Sequence, residues 1–232
     1  MFHIGERLKT VASMVPFCQT VADIGTDHGY VPAYLALSGQ CRYVIASDIA
    51  EGPCRAAAET RTKYNLYDQM EIRTAPGLQG LHAGEVEAVV IAGMGGATIV
   101  SILEEAPEIA ASIETFVLQP MNAANLLRRW LVQHGYRIAD EALCKENSHI
   151  YVIIKAVPAG KKQKLSVIEE ELGPCIMENK PALWQEFIQE KSEHYHRLLQ
   201  QMEASSAAIN SDKYKDMKNM LEKVDALINK SV

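Results

Sequence analysis

The chain has no stretch of about 18 consecutive apolar residues, so no segment reads as a membrane-spanning helix. Its opening, MFHIGERLKTVASMV, carries charges inside a short apolar pattern and has no cleavage-site signature. That argues against a signal peptide and predicts a helix of the mature protein. Cysteine is sparse and unpatterned. The five, Cys18, Cys41, Cys54, Cys144 and Cys175, are odd in number and lack metal-ligand spacing. No metal centre is expected, and structural thiols in a reducing cytoplasm are the simplest reading. Excess positive charge is missing too, with a net charge of −6. Up to Val157 there are 12 Lys+Arg against 17 Asp+Glu, and beyond it 11 against 12. Such a balance does not by itself name a polyanionic partner. No internal repeat or low-complexity segment occurs.

What is present is a core-forming composition, 48% hydrophobic, arranged in alternating patterns. Strand-like runs fall at 20–24, 43–48, 69–74, 86–92, 115–119, 136–144 and 148–157, with helix-like stretches at 31–39, 51–65, 97–105 and 122–134. This alternation predicts βαβ units and a largely parallel sheet. The run at 86–92 is almost wholly apolar, as a central strand covered on both faces should be. Asn122 is a candidate N-cap of the last of these helices and Gly135 its C′ residue. CKENSH, between the final two strands, is too short for a parallel crossover, so these strands should form an antiparallel hairpin. From Pro181 onward strands disappear. Trp184, Ile188, Tyr195, Leu198 and Met202 recur at helical spacing, as do Tyr214, Met217, Leu221, Val224 and Ile228. They predict a C-terminal α-helical coiled-coil hairpin. The expected architecture is an α/β, Rossmann-like sheet domain over 1–157 and a helical domain over 158–232.

Three loops at the ends of predicted strands carry the chemistry. VADIGTDHGY, 21–30, is a strand entering a glycine turn. Asp23 closes the strand, Gly25 permits the turn, and Gly29 precedes a helix; a ligand could lie against bare main chain here. Asp27 and His28 occupy the middle of the loop, where a further glycine would be the plainer choice. Asp48 ends the next strand about twenty residues later, where a carboxylate can accept both ribose hydroxyls of a nucleoside cofactor. It could equally cap the following helix. IAGMGGATI, 91–99, delivers Gly93, Met94, Gly95 and Gly96 at the end of the apolar strand. Beside the first strand this is the switch-point crevice of an open α/β sheet. No Asn-Pro-Pro-aromatic motif follows, which argues against exocyclic-amine chemistry.

VADIGTDHGYVP, ASDIAEGP, IAGMGG, LQP and the helical tail together resemble the TrmK family, the bacterial tRNA (adenine(22)-N(1))-methyltransferases. The resemblance runs over essentially the whole chain. It implies a class I methyltransferase fold, S-adenosyl-L-methionine as donor, and adenine N1 in tRNA as acceptor. It would place the donor site on Arg7, Asp23, Gly25, Asp27, Asp48, Ile49, Gly77, Ala92, Gly93 and Met94. Asp27 and His28 become the candidate catalytic pair, and Tyr30, Gln119, Asn122 and Tyr151 candidate substrate contacts. The chain departs from the family pattern at Gly29, usually Ala, at Asp48, usually Glu, at RTAPGLQGL, 73–81, where an acid is usual near Pro76, and at Met121, which stands between Gln-Pro and Asn122.

Adenine N1 has an in-plane lone pair and needs no deprotonation before methylation. Catalysis then reduces to alignment and to charge complementarity for a base that becomes cationic. N1 also lies on the Watson–Crick edge, so the base must be extruded. Lys161, Lys162, Lys164, Lys213, Lys215 and Lys218 are the candidate tRNA contacts. A cytoplasmic monomer without metal or membrane attachment is expected. Two other classes stay open on the residues alone: a small-molecule methyltransferase, and a nucleotide-binding interaction module without catalysis.

Overall fold

The computed structural model describes residues 4–229. The chain divides into two compact units, Met1–Lys164 and Leu165–Val232.

The first unit is a seven-stranded sheet in the order β3-β2-β1-β4-β5-β7-β6. Its strands are β1 (Cys18–Ile24), β2 (Cys41–Asp48), β3 (Met70–Thr74), β4 (Ala88–Met94), β5 (Thr115–Pro120), β6 (Tyr136–Glu146) and β7 (His149–Pro158). β1 to β5 are parallel. β7 runs antiparallel to both β5 and β6, so the expected hairpin inserts its second strand between β5 and β6. The helices are α1 (Glu6–Met14), α2 (Tyr30–Leu37), α3 (Glu51–Lys63), α4 (Gly96–Glu104), α5 (Pro107–Ser112) and α6 (Ala124–Gln133). Pro107 begins α5, a position that needs no N–H donor.

Strand periodicity sorts the core into two layers. Val21, Val44, Ala46, Val90 and Val117 share one cluster with Val11 and Ala12 of α1, Leu35 of α2 and Ala57 of α3. The alternate residues Ile45, Val89, Ile91, Phe116 and Leu118 are equally buried and face the other way, and α4 packs against β4, β5 and α6. β4 and β5 are therefore covered on both sides, which their continuous apolar runs require. α6 is joined to β6 by Arg128 Nε and Glu141 Oε1 at 2.7 Å, with both side chains fully enclosed.

One local expectation is corrected. Asn122 does not cap α6: the N-cap is Ala123, held at φ 50°, and the Asn122 carbonyl instead accepts the Gly96 N–H at 3.0 Å. The switch-point loop claims Asn122 before the helix can. Gly135, at φ 86°, does follow the α6 C-cap His134 as expected.

The second unit contains α7 (Val167–Leu172), α8 (Pro174–Asn179), α9 (Trp184–Met202), α10 (Ser206–Ile209) and α11 (Asp212–Asn229). A reciprocal capping box of Ser166 and Glu169 starts α7. α9 and α11 pack antiparallel, since Tyr214 donates to Glu203 at 3.0 Å and Ser192 to Asp225 at 2.7 Å. Their buried seam uses Phe187, Ile188, Leu199, Met220, Leu221 and Val224 with the polar Ser192 among them. Leu198 and Met202 of the expected stripe are only half-buried.

Candidate active site

Parallel strands end on a common edge, so the loops after β1, β2 and β4 converge. The loop after β1 is tied to β2 by the Gly25 and Thr26 N–H groups, which donate to the Ser47 carbonyl at 2.8 and 3.0 Å. Gly25 sits at φ 77°, and a Cβ there would collide with the Met94 methyl group. Only glycine meets both conditions. Asp27 is also left-handed, at φ 50°, a conformation that aspartate tolerates better than most residues. It leaves Asp27 and His28 outward-facing, with side chains 75% and 52% exposed and His28 Nε2 3.7 Å from Asp27 Oδ1. The His28 ring stacks on Tyr30 with centroids 5.2 Å apart.

Asp23 is the opposite case. Its carboxyl is buried at the end of β1, and that burial pushes its pKa up to about 7. The Asp48 charge adds to the shift. Asp48 Oδ1 accepts the Ala50 N–H at 2.9 Å, so the carboxylate stiffens the β2–α3 turn while facing the cleft. Its capping and ligand-facing readings are thus compatible.

At β4 the register breaks between Ala92 and Met94, with Gly93 at φ 80°. The Gly93 N–H donates to Gln119 Oε1 at 3.1 Å, and the same oxygen accepts Arg7 Nη1 at 2.5 Å. Arg7 is fixed from outside by Glu146, whose Oε1 accepts the Arg7 N–H at 3.3 Å and whose Oε2 lies 3.7 Å from Nε. The guanidinium also sits 5.6 Å from the Tyr151 ring centroid.

These elements enclose a cavity of about 570 Å³. Arg7, Asp23, Gly25, Asp27, Asp48, Ala92, Gly93 and Met94 line it, together with His28 and Tyr30. Five residues expected at the site lie outside this lining. Ile49 points to solvent, and Gly77 begins a 3₁₀ turn, Gly77–Gly80, against Ile102. Gln119 is completely buried, holding Arg7 and Gly93 from behind the wall, while Asn122 belongs to the loop before α6. Tyr151 lies behind Arg7. Leu8, Thr26 and Val31 complete the lining and were not among the expected residues. Thr26 was legible as part of the loop, but the two aliphatic walls carry no signature distinguishing them from core. A larger hollow of about 1090 Å³ lies at the opposite, amino-terminal edge of the sheet and contains none of the loop residues. Among the described residues no cluster of His, Cys, Asp or Glu could hold a metal ion, and no helix is long and apolar enough to cross a membrane.

An open sheet with a single antiparallel strand and an acid-and-glycine cleft at its switch point defines a methyltransferase-type domain, and a family model described as "Methyltransferase domain" matches residues 4–154. The tRNA (adenine(22)-N(1))-methyltransferase of Bacillus subtilis (strain 168) is 30% identical over 230 residues, covering 97% of each chain. The chain belongs to the tRNA (adenine(22)-N(1))-methyltransferase family. Two solved structures support that assignment. Streptococcus pneumoniae Sp1610 in complex with S-adenosyl-L-methionine is 28% identical with a TM-score of 0.86, covering 97% of this chain and 100% of that one. The M. capricolum TrmK with S-adenosyl-homocysteine is 26% identical with a TM-score of 0.82, covering 97% and 98%.

Proposed function

We propose that the chain transfers the methyl group of S-adenosyl-L-methionine to N1 of an adenine in tRNA, at position 22 as its family relatives are named for. The observation that carries this reading is the cavity at the ends of β1, β2 and β4. Its volume suits a nucleoside with an amino-acid arm. Its chemistry fits as well. Bare backbone at Gly25 and Gly93 allows close approach, the buried Asp23 answers an ammonium, and Asp48 answers ribose hydroxyls. Arg7 faces the position a carboxylate would take, and Met94 supplies an apolar floor. Ile49 and Gly77 are assigned to the adenine end, where Pro76 leaves recognition to shape and main chain. When bound, the donor supplies an electrophilic methyl carbon.

The chain's own residues would do the rest. Asp27, on the exposed rim, offers negative charge to a base that turns cationic, an interaction stronger in the transition state than before it. His28 orients that carboxylate, and Tyr30, stacked on His28, presents an aromatic surface to an extruded base. Asn122 and Tyr151 are assigned to the acceptor side, and Gln119 acts through Arg7. Residues 1–157 hold the donor and 158–232 meet the tRNA body. The helical unit Leu165–Val232 has 8 Lys+Arg against 12 Asp+Glu, net −4, so contact there is confined to Lys213, Lys215 and Lys218. Lys161, Lys162 and Lys164 belong to the end of the first unit. A monomer acting in the cytoplasm completes the reading.

The test combines binding and product analysis. The purified chain should bind S-adenosylmethionine and S-adenosylhomocysteine, and incubation with unmodified tRNA should yield N1-methyladenosine by nucleoside mass spectrometry. Asp27→Ala should lower kcat by about 10²-fold or more while donor affinity shifts only a few-fold. Equal losses would make Asp27 a binding residue, and failure to bind either nucleoside would end the proposal.

A further inference from the structure

Cys18 and Cys41 are the first residues of β1 and β2 and pair with each other in register. Register partners on adjacent parallel strands project to the same face, with Cα atoms about 4.8 Å apart, inside the roughly 4.4–6.8 Å span of disulfides. The two Sγ atoms are 3.1 Å apart. A disulfide bond is about 2.05 Å long, so the sulfurs must close by only about 1 Å. Side-chain rotation at the start of two strands can supply that.

Access differs between the two sulfurs. Cys18 is partly exposed on the hollow of about 1090 Å³ beside Phe17, Gln40 and Arg42, whereas Cys41, at the wall of the same hollow, is 1% exposed. A small oxidant can reach the first sulfur, and the second waits behind it. The other described cysteines lack this arrangement. Cys54 donates to the Asp48 and Arg73 carbonyls, Cys144 is buried, and Cys175 belongs to the second unit.

We infer that Cys18 and Cys41 form a redox-active pair, a site where a hydroperoxide is reduced and a reversible intrachain disulfide forms. In the first step the Cys18 sulfur attacks hydrogen peroxide as its thiolate while Cys41 holds the proton the two sulfurs share; the O–O bond breaks, the leaving hydroxide takes up a proton as water, and Cys18–SOH remains. In the second, the Cys41 sulfur attacks the sulfenic sulfur, the S–O bond breaks, and water leaves with the thiol proton. One peroxide and two thiols yield one disulfide and two waters. Asp23 lies five residues further along β1, about 16 Å away at strand spacing, so the bridge should leave the donor cleft unaltered. The redox pair stands independently of the methyltransferase reading.

The experiment treats the reduced full chain with excess hydrogen peroxide, caps remaining thiols, and maps peptides by mass spectrometry. The expected result is a monomer lighter by about 2 Da, a linked peptide joining Cys18 to Cys41, and full reversal by dithiothreitol. S-adenosylhomocysteine affinity should change less than about twofold. Cys18→Ser should give no intrachain link. The redox pairing is overturned if both cysteines are recovered capped, if Cys18 ends as an unlinked sulfinic acid, or if the links are intermolecular through Cys175. The wild-type map decides the matter even should the variant fold poorly.

Discussion

Arg7 and Gln119 lie 112 residues apart in sequence, yet Arg7 Nη1 donates to the Gln119 side-chain oxygen at 2.5 Å, and that oxygen also accepts the Gly93 N–H. A single buried amide therefore holds both the first helix and the β4 glycine turn at the cleft. Gln119→Leu removes the acceptor shared by Arg7 Nη1 and the Gly93 N–H, leaving Arg7 only its Glu146 pairing, at a cost of about 1–3 kcal/mol. Thermal denaturation should register that loss, and calorimetry should show donor affinity weakened about tenfold or more. Gln119→Glu keeps the acceptor and should retain most of the affinity. Equal behaviour of the two variants would refute the role.

Gly25 presses against Met94 so closely that a Cβ would displace the Met94 methyl. The end of a Met side chain moves easily, and here the available space is the cavity that Met94 lines. Gly25→Ala should thus obstruct the donor site as well as strain a φ of 77°, the latter by about 1–3 kcal/mol. Adding Met94→Ala should recover donor binding in part while leaving the loss of melting temperature. Full recovery of both would show that the dihedral is unimportant.

Asp23 sets a pH dependence. Its folded pKa, raised to about 7 from 3.8, means that the folded chain keeps a proton the unfolded chain has released. Stability is therefore lost as pH climbs from about 4 to about 7. Asp23→Asn should flatten that slope and make the donor-free chain more stable at pH 8, by something on the order of 3 kcal/mol. A cation beside Asp23 favours the ionised form, so S-adenosylmethionine affinity should rise from pH 6 to pH 8 in the wild type. An identical pH profile in Asp23→Asn would remove Asp23 from the donor site.

Lys213, Lys215 and Lys218 are carried on α11 within an otherwise acidic unit. Replacing all three by Ala should weaken tRNA binding about tenfold or more and flatten the log–log salt dependence by about 2. Donor affinity should be unchanged. An unaltered salt slope would mean that the tRNA is held elsewhere.

Periodicity and turn chemistry were enough to read most of the fold. The apolar run of β4 announced a central strand, and the short CKENSH linker announced a hairpin. The 3₁₀ turn at Gly77, α5, α7 and α8 left no comparable trace, because each spans at most six residues and helical periodicity needs longer segments to emerge.

At the site, which strand ends carry acids and glycines follows from the order of residues alone, because loop conformation and strand length are local properties. Their neighbours were settled by the folded arrangement. Whether Gln119 would face substrate or brace Arg7, whether Asn122 would cap α6 or hold Gly96, and whether Cys18 would meet Cys41 all depend on strand order and register. Those are fixed by packing between segments far apart along the chain, and pattern within one segment contains no record of the partner it will touch.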